Sequence, residues 1–494
     1  MAEHTEMTDS VDLCAAIAAH AERTPDAPAL VWHDTVTTYG ELYARAERHR
    51  DAVAAWHPLP GEPVGIVAAK SPETVAMILG CLLTGQPFLL PSPALPDDVL
   101  ANLLAQARCR HVLGDTRGLV PADGVETFPV PGGTSFMLTT SGSTGLPKVV
   151  PLGRESVHRF LRWAGETFEL KPGTTVLNYA PLSFDLCLLD VWATLAHGGR
   201  VVLVDPDQAA NGRHLLDLLV RYDVDVVQAV PMFYRLMRDA ARGEEALSTV
   251  VGHAMFTGDA MPEQLLAQLP RMFPKARLYN IYGCTETNDS FYQEIGELAD
   301  GASIGRPLPG VKALVVDDDG ALVTGAGTGE LLVWTPFQTS GYLDRRRFAD
   351  RFGPHPTGAD DLRYFRTGDL VRRDEQGRTV LVGRRDHQVK VRGVAVNTAE
   401  VEQVLLRHPE VVEAAVLAES DPVTGRRLVA HVRRLSAGSG NRLNSLTLRE
   451  HCARRLPRAA VPSVLRIVDA PLPRTSTGKV DRIALANSGK GTEQ

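Results

Sequence analysis

Residues 138–148 (LTTSGSTGLPK) combine the groups that grip a polyphosphate. Gly142 and Gly145 let backbone N–H groups approach anionic oxygens. Thr139, Thr140, Ser141, Ser143 and Thr144 add hydroxyl donors, and Lys148 adds a point charge. The apolar run 134–138 before them reads as a short buried strand, so the loop sits at a strand end. A flexible Ser/Gly turn is the competing reading, and the ordered apolar entry and lysine exit speak against it. A Walker loop needs Gly-Lys followed by Ser or Thr, whereas Gly478-Lys479 is followed by Val480 and Gly489-Lys490 by Gly491. GAGTGE (325–330) lacks the third glycine of the dinucleotide fingerprint and reads as a tight turn before a strand at 331–334. A second lysine-bearing loop, PLPRTSTGKVDR (471–482), carries Lys479.

Something must position these loops, and a chain of 494 residues, 44% hydrophobic, exceeds one ordinary core and predicts two or more domains. Through residue 268 helical stretches (13–21, 41–55, 74–83, 214–220, 262–268) mix with strand-like ones (63–68, 200–204, 224–230), which implies parallel sheets covered by helices. After Gly305 short strands take over (313–316, 330–334, 370–372, 379–382), predicting a β-rich subdomain. A charged link, GRRD (383–386), precedes a fresh unit with helices at 396–407 and 446–456 and strands at 411–418 and 427–433. The fold class read from this is α/β. Residues 1–383 form a large N-terminal domain of stacked α/β subdomains plus a β-rich subdomain, and residues 384–494 a small mobile C-terminal α+β domain.

The net charge of −7 gives no pull toward nucleic acid, and Arg454, Arg455 and Arg458 read as a solvated helix face. Six scattered cysteines without CxxC spacing argue against a zinc site and a disulfide framework and predict reduced thiols. The acidic N-terminus lacks the pattern of a secretory signal. The most apolar segment, 76–91, is interrupted by Gly80, Gly85 and Gln86, so no membrane span is expected. A cytoplasmic protein without nucleic-acid or membrane partners is the expectation.

In chain order, LTTSGSTGLPK is followed by APLSFDLCLLDVW (180–192), FTGDAM (256–261), NIYGCTET (280–287), YFRTGDL (364–370), GRRDHQVKVRG (383–393) and PRTSTGKVDR (473–482). Together these resemble the adenylate-forming superfamily. The likeness is greatest to amino-acid adenylation enzymes of nonribosomal peptide synthesis and to stand-alone amino acid:carrier protein ligases such as D-alanine:carrier protein ligase. The resemblance implies an enzyme, an AMP-forming ligase, that uses ATP and Mg²⁺ to join a carboxylate to AMP, releases pyrophosphate, and passes the acyl group to a thiol. Such phosphoryl transfer asks for positioning and charge stabilisation rather than a protein nucleophile.

By that resemblance Thr140, Ser141, Gly142, Ser143, Thr144 and Lys148 hold the β- and γ-phosphates. Glu286, with Thr144, binds Mg²⁺, and Thr285 meets the α-phosphate. Tyr282 stacks on adenine beside Gly258, Asp259 and Asn280, a buried aromatic core role being the competing reading. Asp369 accepts both ribose hydroxyls, against the alternative of a turn residue after Gly368. Lys479 reaches the junction of substrate carboxylate and α-phosphate as a mobile point charge. Arg384 and Asp386 mark the hinge, Arg384 within reach of the nucleotide, and Gly393 borders the pantetheine channel. Val149 stands where a glycine often follows the lysine, and VAVNTAEVE is worded more like acyl-CoA synthetases.

SFDLCLLDVW bears on the acid. As a helix start it would put Asp185 and Leu189, an i, i+4 pair, on one face beside Leu186. A buried aspartate wants a cation, which an amino acid's ammonium supplies; a helix N-cap is the alternative for Asp185. The pocket carried over by resemblance is Asp185, Leu186, Leu189, Gln228, Met255, Thr257, Ile281, Asp289, Ser290 and Lys479. It points to a small or polar amino acid, α or β, with Asp289 either binding a second polar group or facing away. The expected reaction loads that amino acid onto the phosphopantetheine thiol of a separate carrier protein, in natural product biosynthesis. An acyl- or aryl-CoA ligase using free CoA, and a non-catalytic binder on the same fold, are the alternatives.

Overall fold

The computed structural model describes residues 10–140, 147–241, 250–259, 261–296, 303–346, 349–385, 388–391, 394–421, 425–435, 443–456, 458–475 and 479–488. One large mixed sheet organises most of the chain. Its parallel part runs in the order Pro28–Trp32, Arg200–Leu203, Thr175–Asn178, Val226–Ala229, His253–Phe256 and Arg277–Cys284. Helices such as Gly212–Arg221 and Pro231–Ala240 connect and cover these strands, as parallel pairing requires. Beyond Arg277–Cys284 the same sheet turns antiparallel through Asn288–Glu294, Ser303–Pro307, Thr379–Arg384, Arg363–Arg373, Gly327–Trp334 and Lys312–Val316. The β-rich stretch expected after Gly305 is therefore continuous with the parallel sheet. A second, five-stranded sheet contains Thr134–Thr140 paired with Lys148–Gly153, the strands that flank the glycine-rich loop.

The last part of the chain packs Thr398–Leu406 and Ser445–Ala453 against a three-stranded sheet of Val411–Asp421, Gly425–Arg434 and Val464–Val468. It has its own core around Val401, Leu405, Val416, Leu428, Val432 and Leu448. A large N-terminal domain and a smaller C-terminal one thus share the molecule. The helix expected over 396–407 begins two residues later, because residues 394–397 pair as a strand and the Asn397 side chain caps the helix by accepting from Ala399 N. Similarly, 262–268 yields only the single turn Glu263–Leu266 after Pro262.

Away from the crossing itself, ion pairs join the domains among the described residues: Arg235 Nη1 lies 3.0 Å from Glu413 Oε1, and Arg407 Nη2 lies 2.9 Å from Glu263 Oε1. Where the chain crosses between them, a Cβ on Gly383 would fall 1.9 Å from Asn397 Nδ2. The crossing therefore needs a residue without a side chain. Gly383→Ala should lower stability by about 1–3 kcal/mol through this overpacking. Thermal denaturation checks it, and an unchanged melting temperature would show that Asn397 can move aside.

Candidate active site

A cavity of about 1730 Å³ opens along the carboxyl ends of the parallel strands, where open α/β sheets bind ligands. Tyr179, Gln228, Thr257 and Tyr282 line it from the large domain, and Glu402, Arg474 and Lys479 from the small one. Thr140, at the end of its strand, lines this space, and its buried hydroxyl has no hydrogen-bond partner among the described residues. Lys148, on the adjacent strand, sits 4.9 Å over the ring of Tyr342. Burial depresses the pKa of Lys148, partly offset by the attraction of Glu286. Ser141, Gly142, Ser143 and Thr144, and likewise Asp386 and Gly393, lie outside the described residues.

Glu286 is held in the turn between Arg277–Cys284 and Asn288–Glu294. The pairing of these strands shifts register at Tyr282/Gly283, a bulge of the kind that re-aims side chains. Gly283 is required there, since a Cβ would meet Asn288 O at 2.4 Å, and Asn288 closes the turn at φ +58°. Thr335 Oγ1 donates to Thr287 O at 2.7 Å and Thr339 N to Glu286 O at 2.9 Å, so the turn is fastened to a neighbouring loop. The Tyr342 hydroxyl donates to Glu286 Oε1, which fixes the carboxylate. Among the described residues no three His, Cys, Asp or Glu side chains cluster as a metal cage. A single buried carboxylate fits Mg²⁺, which usually takes one or two carboxylates and completes its shell with waters and substrate phosphates.

Deeper along the cavity, Asp369 receives Arg384 Nη1 at 2.9 Å on one oxygen and the Tyr282 hydroxyl at 2.5 Å on the other. Tyr282 also packs edge-on against Phe291. Asn280 donates to Ser303 O at 2.7 Å, while Gly258, at φ +81°, and Asp259 line the wall nearby. Lys479 is exposed to the cavity, on a loop closed by Thr475 N donating to Lys479 O at 2.8 Å.

Asp185 and Asp289 line the same cavity. The carboxyl of Asp185 is raised by withdrawal from water, lowered by a hydrogen bond from Thr285, raised again by Glu286 and lowered by Lys479. That of Asp289 is pushed up to about 8, by burial first and by the charge of Asp185 second. Leu186, Gln228, Thr257 and Ile281 share this lining. Leu189, Met255 and Ser290 do not: Leu189 and Met255 are packed into the core, and the Ser290 hydroxyl is bonded to Thr287 and Asn288. The α-helical pairing of Asp185 with Leu189 fails because Asp185 sits in a turn before the π-helix Leu188–Ala193, where Leu188 N donates to Asp185 O at 2.8 Å and Leu189 N to Leu186 O at 3.1 Å, steps of three residues that turn Leu189 to a different face. Asp185 is not its cap; Cys187 is, without a side-chain bond.

Sequence reading missed Lys70, Tyr342 and Glu413. Lys70 Nζ donates to the carbonyls of Asn178 and Tyr179 at 3.2 and 3.1 Å and faces the cavity, where burial lowers its pKa to about 8. A lysine between a buried strand and the helix cap Ser71 was its only signal. Glu413, 3% exposed, accepts Arg235, Arg474 and Arg433 and the backbone N of Leu472. Leu472 and Arg474 lead directly into the Lys479 loop. No local pattern could reveal that hub, because its members come from four separate segments.

The family description "AMP-binding enzyme" matches residues 17–130 and 122–343, and "AMP-binding enzyme C-terminal domain" matches 400–479. A phosphinothricin tripeptide synthetase of Streptomyces viridochromogenes is 32% identical over 98% of this chain, which spans only 43% of that protein. The L-proline–[L-prolyl-carrier protein] ligase of Pseudomonas fluorescens is 30% identical over 95% of this chain and 97% of its own length. Among solved structures, a holo four-domain nonribosomal peptide synthetase bound to AMP and glycine superposes with a TM-score of 0.82 at 26% identity, covering 96% of this chain and 36% of that one.

The two kinds of buried carboxylate should behave oppositely toward pH. Asp289 binds its proton more tightly folded than unfolded, so the stability this confers is full below the ordinary carboxylate range and is lost as pH rises through about 8. The melting temperature of Asp289→Asn, relative to the native chain, should therefore rise from pH 5 to pH 9. Glu413 is held below the usual glutamate range by Leu472 N and its arginines, against the opposing effect of burial, and stabilises above that range. Glu413→Gln should cost about 3 kcal/mol at neutral pH, with the deficit shrinking on acidification. Denaturation across pH checks both, and parallel profiles for the two variants would contradict the assignment.

Proposed function

The chain belongs to the AMP-binding enzyme family, and from that premise we propose that it adenylates an amino acid with ATP and then loads it onto the phosphopantetheine thiol of a carrier protein. The observation that carries this reading is the meeting of Asp185 and Lys479, from different domains, in one cavity with Glu286 and Asp369. Asp185 holds the substrate ammonium, which leaves the carboxylate pointing toward Lys479. A carboxylate oxygen attacks the α-phosphorus, the bond to the bridging oxygen breaks, and pyrophosphate departs with that electron pair. Lys479 stabilises the charge that builds between carboxylate and phosphate, while Thr140 and Lys148 hold the leaving end. Asp369 and Tyr282 take the ribose and base, with Arg384 released from Asp369 as the sugar hydroxyls replace it. Mg²⁺, when held by Glu286 with Thr144, neutralises phosphate charge.

A thiol then displaces AMP from the mixed anhydride. The nearly coextensive proline ligase is named for a carrier protein, which supports the same kind of acceptor here. Residues 1–383 and 384–494 are the units proposed to move for that second step, turning near Arg384 and Asp386, with Gly393 beside the thiol's path. Use of ATP fits a cytoplasmic setting. Among the described residues no helix is long and apolar enough to cross a membrane.

Amino-acid-dependent ATP–pyrophosphate exchange tests the reading, and absence of exchange with every carboxylate would refute it. Lys479→Ala should cut exchange by about 10²–10³-fold and leave transfer from a preformed aminoacyl-AMP much less affected. Equal losses in both steps would contradict its role. Holo-carrier protein should accept the acyl group in preference to free CoA; the reverse would make the protein a CoA ligase.

A further inference from the structure

Three polar side chains with acceptor oxygens line the cavity from different elements. Asp185 precedes the π-helix and lies close enough to Asp289, on the antiparallel strand Asn288–Glu294, to act on its charge, while Gln228 reaches the same cavity from a parallel strand with two others between it and that one in the sheet. Asp289 is 8% exposed and Gln228 1%. Gln228 Oε1 has no hydrogen-bond partner, and the Asp289 carboxylate has neither hydrogen bond nor ion pair, among the described residues. Behind them Asp190 and Asn178 bond to each other at 3.3 Å and each leaves an oxygen unpartnered among the described residues. A buried cation nearby, Lys70, is committed to two main-chain carbonyls.

Buried acceptors left open in this way lose free energy until a donor arrives. Asp185 is met by the α-ammonium under the adenylation reading, on which this inference rests. That leaves Asp289 and Gln228 as a second acceptor site. A hydroxyl brings one donor and no charge; an ammonium brings three donors and the positive charge that a buried carboxylate needs. We infer that the substrate is a diamino acid, whose side-chain ammonium is held by Asp289 and Gln228 while its other ammonium is held by Asp185. The site is thereby selective against neutral amino acids of the same length, which leave Asp289 and Gln228 unmet.

The test uses the full chain in ATP–pyrophosphate exchange with matched pairs: 2,3-diaminopropionate against 2-aminobutyrate, 2,4-diaminobutyrate against norvaline, ornithine against norleucine, lysine against 2-aminoheptanoate, and β-lysine against 3-aminoheptanoate. At least one diamino acid should exceed its neutral partner by about 100-fold or more in kcat/KM, since a site built to bond a polar group rejects the analogue lacking it. Asp289→Asn should erase most of that preference, and Gln228→Met should reduce it by about tenfold. If neutral amino acids match or exceed their diamino partners, the inference fails while adenylation stands. Preference unchanged in Asp289→Asn likewise overturns it. Exchange with no acid at all removes the adenylation reading and the inference with it. The matched-pair comparison on the native chain decides the matter even if a variant does not fold.

Discussion

A carboxylate withdrawn from water must find positive charge or several donors, and this constraint shapes both halves of the molecule. Glu413 satisfies it internally. Three guanidiniums and a backbone amide converge on it, one arginine from the large domain and one from the approach to Lys479. Breaking a buried pair is far more costly than the pair is worth against an apolar replacement. Glu413 therefore acts as a condition on geometry: with Arg235 engaged, the small domain is docked and its lysine faces the cavity. A second ion pair, Arg407 with Glu263, is exposed and adds little by itself.

Asp289 fails the same requirement within the chain, and that contrast gives it meaning. The fold can assemble a full set of partners around a buried acid, as at Glu413. It does not do so at Asp289, which lines the same cavity as Glu413 but has neither hydrogen bond nor ion pair on its carboxylate among the described residues. The unmet acceptors cost stability in the free protein, and large continuous cores beneath both sheets absorb the cost. The same free energy is recovered when a ligand brings donors, so the penalty becomes discrimination between ligands.

Much of this was legible in sequence where chemistry is local. The alternation of helix and strand placed the parallel sheet, and the segments 138–148 and 280–287 singled out Thr140, Lys148 and Glu286, which the structure brings to one cavity. What was not legible depends on pairing across distance or on unusual winding. Ser303–Pro307 joins the antiparallel strands to the parallel sheet, and no residue in it announces that. Leu189 and Met255 are apolar residues next to pocket residues, and only the π-helix and the strand's facing decide that they look inward. Tyr342 is separated from Glu286 by more than fifty residues, and its bond to that carboxylate is a tertiary fact.

The charges along the cavity also form an order. Among the residues that line it, Lys148, Arg351 and Arg384 influence one another, and so do Asp185 and Asp289. The acids near those cations are spoken for, Glu286 by Tyr342 and Asp369 by Arg384 and Tyr282. Lys479 lines the cavity too, close enough to lower the pKa of Asp185. A zwitterion entering the cavity is oriented as it binds: its ammonium settles against the aspartates, whose raised affinity for a proton it relieves, and its carboxylate turns toward the lysine. Low-dielectric walls strengthen that attraction over its value in water. An extra ammonium on the side chain adds to the same attraction, while a carboxylate there would oppose it. The polarity of the cavity thus selects orientation and side-chain charge together, and both follow from which buried acids the fold left without partners.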